Sequence, residues 1–103
     1  MADTNDISQY RKEINRIDDD LLKLYIERMD VCTKIGEYKK ERNLSTYDPD
    51  REAEVIADVM SKVSNPKYSD GAAQLFITLM QVSCELQDKI ITDNWEDDPY
   101  ADF

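Results

Sequence analysis

ISQYRKEINRIDDDLLKLYIERMDVCTKIGEYKKER, residues 7–42, decides the fold. Apolar side chains recur at Ile7, Tyr10, Ile14, Ile17, Leu21, Leu24, Val31, Ile35 and Tyr38, in steps alternating between three and four residues apart from one double step between Leu24 and Val31. That spacing holds one stripe on one face of an α-helix. Arg28 occupies the slot between Leu24 and Val31. No proline interrupts the run, and Gly36 is its one weak helix former. An interior glycine costs ~1 kcal/mol relative to alanine; close packing of another backbone accounts for one there. A helix of this length spans roughly 50 Å at ~1.5 Å per residue. A compact domain of ~100 residues has a radius of gyration of only ~13 Å. The remainder of the chain is too short to cover the whole stripe, so the uncovered part needs a partner, most simply a second copy of the chain.

Beyond residue 42 the chain reads as two shorter helices. Asn43 to Tyr47 form a loop, and Asp48-Pro49 starts a helix, with aspartate as N-cap and proline in the first helical position. Asp50 and Glu52 suit the positive end of that helix. Ser64-Asn65-Pro66 ends it near Val63, and Asp70 is expected to cap a third helix over 71–91. Two glycines, three prolines and the absence of alternating apolar runs argue against strands. The expectation is an all-α fold: a three-helix protomer with helices of about 7–42, 49–63 and 71–91 in one domain, 1–91, paired as a homodimer. Residues 92–103, acidic around Trp95, Tyr100 and Phe103, read as a flexible tail.

Composition narrows the function. The net charge of −10 disfavours nucleic acid and anionic membrane surfaces. No histidine is present, which removes the commonest general base and metal ligand. Cys32 and Cys84 lack metal-binding spacing and are expected to be reduced packing residues. No apolar run is long enough for a membrane span. Residues 1–6 are polar and unlike a signal peptide, so a cytoplasmic location is expected.

Polar residues nonetheless stand on inward faces. Glu52 lies in line with Val55, Ile56, Val59 and Val63, and Ser83 and Gln87 continue the face of Phe76, Leu79 and Met80. A buried charge costs several kcal/mol unless paired. Arg28, Glu52, Ser83 and Gln87 therefore point to an enclosed polar site. Arg11, Arg28, Lys39 and Arg51 supply its cations, and arginine recognises carboxylates through paired hydrogen bonds. Several cations suit a ligand with more than one carboxylate. No nucleophile–base pair, metal cluster or phosphate loop accompanies them, which suits a reaction driven by orientation and charge stabilisation alone. Arg11 and Arg28 are 17 residues apart, roughly 25 Å along a helix. One small ligand cannot touch both within one chain, but two antiparallel copies can bring them together.

The order of these residues resembles the AroQ-class chorismate mutases. The resemblance rests on Tyr10-Arg11-Lys12-Glu13-Ile14, Glu27-Arg28, Ile35-Gly36-Glu37-Tyr38-Lys39, Tyr47-Asp48-Pro49-Asp50-Arg51-Glu52 and Ser83-x-x-x-Gln87. The Asp-Pro-x-Arg-Glu box, nine residues after Lys39, and Ser-x-x-x-Gln are its specific parts. It implies an intertwined homodimer with two shared active sites, rearranging chorismate to prephenate without cofactor or metal. It further implies that Arg28, with Arg11 of the other chain, binds the two carboxylates. Lys39 and Gln87 would donate to the ether oxygen. Glu52 and the backbone near Asp48 would hold the ring hydroxyl, and Arg51 and Ser83 would complete the polar wall. Ile35, Met80 and Cys84 would line the apolar side, and association with another shikimate-pathway enzyme is open to such a domain.

Each residue also has a plain explanation. Arg28 could pair with an acid across an interface; Arg11, Lys39 and Arg51 could face solvent; Glu52 and Asp48 could serve the helix start; Ser83 and Gln87 could make a polar interhelical contact. An isochorismate-pyruvate lyase of the same fold, a non-catalytic regulatory or binding module, and a plain helical dimerisation protein are the competing functions. The intact box and serine at 83 favour the mutase over the lyase, and polar residues in three seams disfavour the plain dimer.

Overall fold

The computed structural model describes residues 6–93; of the tail expected over 92–103, Thr92 is the last residue of the third helix, and residues 94–103 lie outside the described ones. Among the described residues the fold is all-helical: α1 (Ile7–Glu41), α2 (Pro49–Lys62), a 3₁₀ turn (Pro66–Tyr68) and α3 (Ser69–Thr92). The chain divides into two compact units, up to Val31 and from Cys32 onward.

In the first unit, α1 begins at Asp6, whose carboxylate accepts from the Ser8 hydroxyl at 2.7 Å and the Gln9 N–H at 3.0 Å. These bonds hold the Asp6 carboxyl below the usual carboxylate range. From Ile7 to Glu27 every residue is exposed. Ile14 is 54% and Leu24 62% exposed, although both belong to the apolar stripe. An aliphatic row this long and this open lacks a covering surface within its own unit.

The second unit holds the last turns of α1 with α2 and α3. Asp48 caps α2 by accepting from the Arg51 N–H at 3.1 Å, and Pro49 takes the first helical position. The Val55, Ile56, Val59 and Val63 row is half-buried, as is the Phe76, Leu79 and Met80 row on α3. The two helices pack through these rows. Just past the end of α1, Asn43 adopts φ 55°, and the Leu44 N–H returns to the Lys39 carbonyl at 2.9 Å. Asparagine tolerates that left-handed conformation, which closes many helices.

Two expectations are corrected. α3 starts at Ser69, and Asp70 lies inside its first turn. Asn65 is the capping residue here: its side chain accepts from the Lys67 N–H at 3.0 Å and opens a 3₁₀ turn that runs into the helix. The second correction concerns the stripe on α1. Ile35 and Tyr38 remain exposed, whereas Cys32 and Gly36 are buried. The face turned to α3 is thus offset by one residue, about 100° around the helix. It uses small residues because the backbones come close. A Cβ on Gly36 would stand 3.4 Å from the Gln87 Cα and 3.1 Å from the Ile90 Cδ1.

Candidate functional site

The best-buried polar side chains of the second unit lie on α3: Ser83 and Gln87, 6% and 7% exposed. They are one turn apart and share a face. Ser83 donates to its own helix, to the Leu79 carbonyl at 2.7 Å. Gln87 meets α1, where the half-buried Lys39 ammonium donates to its Oε1 at 2.9 Å. A hydrogen bond to a charged group contributes roughly 1.5–3 kcal/mol when partly shielded. It also has a directional consequence. With Oε1 turned to Lys39, the amide Nε2 of Gln87 points the other way. No described residue accepts from it, and no buried side-chain nitrogen or oxygen among the described residues lacks a partner, so Nε2 is reached by solvent. A lysine carries three donors and a primary amide two. Lys39 and Gln87 therefore retain N–H donors for a negative or polar ligand atom.

Gly36 makes this pairing possible. Its missing side chain lets the Gln87 backbone approach, and a Cβ there would reach within 3.3 Å of the Gln87 Cγ. Sequence alone marked Gly36 as a place of close packing; the structure supplies the neighbour.

Glu52 and Met80 come together elsewhere. Both line an open cleft of about 570 Å³ between α2 and α3, with Pro49, Ala53, Ile56 and Ile77. Glu52 is half-buried, and among the described residues its carboxylate takes no hydrogen bond or ion pair. The cleft is mostly apolar, with an anionic group on its wall.

The remaining candidates are more scattered. Asp48 is exposed and committed to its cap. Arg51 is exposed, and its guanidinium meets Glu54 at 3.4 Å, an i,i+3 surface pair of small energetic weight. Ile35 is 40% exposed. Cys84 is half-buried, and its thiol turns to the loop before α2, 3.5 Å from the Thr46 hydroxyl. In the first unit Arg11 is exposed and Arg28 half-buried. Thr46 and Asp88 were missed in the sequence; their side chains bond each other across 42 residues, and no spacing rule announces such a pair.

Among known proteins, a family model described as chorismate mutase type II matches residues 10–88. A bifunctional chorismate mutase/prephenate dehydratase of Aquifex aeolicus (strain VF5) is 38% identical over 55 residues, 53% of this chain and 15% of that protein. Its namesake in Buchnera aphidicola subsp. Acyrthosiphon pisum (strain APS) is 32% identical over 93 residues, 88% of this chain and 24% of that protein. A 4-amino-4-deoxychorismate mutase of Streptomyces pristinaespiralis is 28% identical over 91 residues, 87% of this chain and 70% of that protein. The chain thus spans a quarter or less of the two bifunctional relatives. No solved structure matches it.

Proposed function

Because the chain belongs to the chorismate mutase type II family, we propose that it catalyses the cofactor-free rearrangement of chorismate to prephenate, a step toward phenylalanine and tyrosine. In that reaction the ether C–O bond breaks as a C–C bond forms within one molecule, and no proton moves. The protein has only to hold the reactive conformer and stabilise the charge growing on the ether oxygen. The Lys39–Gln87 pair carries the reading. Its geometry presents one cationic and one neutral donor, already oriented by each other, and an oriented donor pair suits a developing oxyanion.

The other roles accord with the chemistry of the side chains. Arg28, with Arg11 from a second copy, binds the two carboxylates. Glu52 and the Asp48 backbone receive the ring hydroxyl, and an otherwise uncommitted carboxylate is a good acceptor for it. Arg51 and Ser83 complete the polar wall, while Ile35, Met80 and Cys84 face the carbon skeleton. The pairing partner is another copy of the chain, intertwined through α1. The exposed row from Ile7 to Leu24 supports this, since apolar surface of that extent is stabilised by being covered. A bifunctional arrangement in two relatives' names is consistent with association between this domain and another enzyme of aromatic amino acid synthesis.

A second substrate has a specific observation in its favour. One relative is named for 4-amino-4-deoxychorismate, and a carboxylate such as Glu52 accepts from an ammonium as well as from a hydroxyl. The test is to incubate the purified protein with chorismate, isochorismate and 4-amino-4-deoxychorismate and identify each product. Prephenate from chorismate without pyruvate is the expected result. Pyruvate from isochorismate would make it a lyase, preference for the amino compound would shift the substrate, and no turnover at all would leave a binding module. The shared site has its own test. Arg11→Ala and Arg28→Ala variants, each inactive, are co-refolded. One site of every heterodimer then carries neither lesion and regains activity; proven heterodimers without recovery would reject the arrangement.

A further inference from the structure

α3 carries two adjacent rows with the same i,i+4 spacing. Ser83 and Gln87 form one. Cys84 and Asp88, each the next residue along, form the other, and that second row grips the loop between α1 and α2. The Thr46 hydroxyl lies 2.5 Å from the Asp88 Oδ1, and the Cys84 Sγ lies 3.5 Å from the same hydroxyl and 3.8 Å from the Thr46 carbonyl. A carboxylate only accepts, so the Thr46 proton goes to Asp88, and the thiol of Cys84 donates to Thr46. Every polar atom in the clamp has one consistent role. Inside the loop, the Tyr47 N–H is satisfied by the Ser45 hydroxyl at 3.1 Å, and upstream the Leu44 N–H is tied to the Lys39 carbonyl. The segment from Lys39 to Asp48 is thus anchored at both ends, once on the residue that holds Gln87 and once on the residue beside Gln87.

We propose that Thr46 is a positioning residue: clamped by Cys84 and Asp88, it sets where α2 begins, and hence where Asp48 and Glu52 stand relative to Gln87. This rests on the mutase reading above. Thr46 precedes the Asp48 cap by two residues, so a shift of the loop moves the cap and the first turn of α2 with it. The clamp has little weight in global stability, because Asp88 is exposed and Thr46 half-buried, and the apolar rows already pack α2 on α3. Its effect is geometric: it fixes where the groups that hold the substrate stand, and so how well the substrate is bound.

The experiment compares full-length parent, Thr46→Val, Thr46→Ser, Asp88→Ala and the Thr46→Val/Asp88→Ala double variant, with chorismate kinetics and thermal melting on each. Valine keeps the shape and removes the hydroxyl; serine keeps the hydroxyl. Because Glu52 and Asp48 hold the substrate in ground and transition states alike, KM is expected to rise about tenfold with kcat nearly unchanged. Thr46→Ser should restore the parent KM, and the double variant should be no worse than either single one, as for two residues acting through one contact. A lowered melting temperature with parent kinetics in both Thr46→Val and Asp88→Ala would overturn the proposal and leave a purely structural clamp. Additive losses would also overturn it. Should Thr46→Val fail to fold, Asp88→Ala, at an exposed helical position, decides the question alone. A parent that turns over no chorismate would instead overturn the functional reading, and the positioning role with it.

Discussion

Gly36 offers the sharpest test of how the second unit is packed. Replacing it with alanine acts in two opposite ways. A helix interior gains about 1 kcal/mol when glycine becomes alanine. Against this, the new methyl would sit 3.1 Å from the Ile90 Cδ1, 3.3 Å from the Gln87 Cγ and 3.4 Å from the Gln87 Cα. Overpacking typically costs ~1–3 kcal/mol, and here the relief needed is a few tenths of an ångström. Ile90 is half-buried and can rotate its end methyl aside. Gln87 has less freedom, because its amide is bonded to Lys39. The two contributions nearly cancel, and Gly36→Ala should lie within about 1 kcal/mol of the parent. Gly36→Val adds two more carbons against the same backbone and lowers helix propensity, so it should lose about 2–3 kcal/mol. Urea unfolding at one fixed protomer concentration reads both values. Gly36→Ala should also lower turnover of chorismate, since the Gln87 side chain must give way. A valine variant as stable as the parent would refute the close approach of α1 and α3. An alanine variant stabilised by the full ~1 kcal/mol, with unchanged turnover, would refute it equally.

Three further outcomes are expected. Lys39→Ala should cost on the order of 3 kcal/mol in transition-state stabilisation, by comparison with other oxyanion donors, and Gln87→Glu should be poor at neutral pH and recover as pH falls, because a carboxyl donates only when protonated; a pH–rate profile with folding checked at each pH decides, and parent-like activity of Gln87→Glu at neutral pH would leave Gln87 a packing contact. Asp48→Ala should destabilise by about 1 kcal/mol in urea while Asp48→Asn does not, since asparagine caps as well as aspartate; equal losses would mean that charge, not the cap to the Arg51 N–H, matters. Asp6 has a lowered pKa through its bonds to Ser8 and Gln9, so its cap is fully present above the unfolded carboxylate value and is lost as pH falls through the lower folded one; the protection of the Gln9 amide, relative to its intrinsic exchange rate at each pH, should fall only in that acidic window, and an Asp6→Asn variant should show no such step.

The helices were legible because their punctuation is local. Asp48-Pro49 and Asn65-Pro66 mark boundaries by backbone chemistry, and the α2 and α3 rows keep one period throughout. The start of α3 was misplaced because Asp70 is a good cap in isolation, while Asn65 gave an earlier 3₁₀ entry. The face by which the last turns of α1 meet α3 is not marked by the apolar stripe. The most hydrophobic stripe of α1 is the natural choice for a core, yet the close approach to α3 is at Gly36, where size matters more than hydrophobicity. The interior glycine was the available signal. The pairing of Lys39 with Gln87 lay within reach, because both were singled out for their chemistry. The Thr46–Asp88 bond lay beyond it, since a threonine in a loop and an aspartate on an exposed face have no pattern until the chain brings them together.

The long apolar row of α1 also bears on how a single chain behaves in solution. Leu21, Leu22, Leu24 and Ile26 are each more than half exposed, a display that ordinarily invites indiscriminate sticking. Yet Asp18, Asp19 and Asp20 stand just before this cluster, Lys23 within it and Glu27 after it, in a chain of net charge −10. Charges that flank a hydrophobic segment act as gatekeepers against aggregation. They make contact with an arbitrary greasy surface unfavourable, and leave it open only to a surface that answers the charges as well as the ridges. For the proposed pairing of two copies, the net charge of −10 on each chain sets a long-range repulsion that only a closely matching surface overcomes.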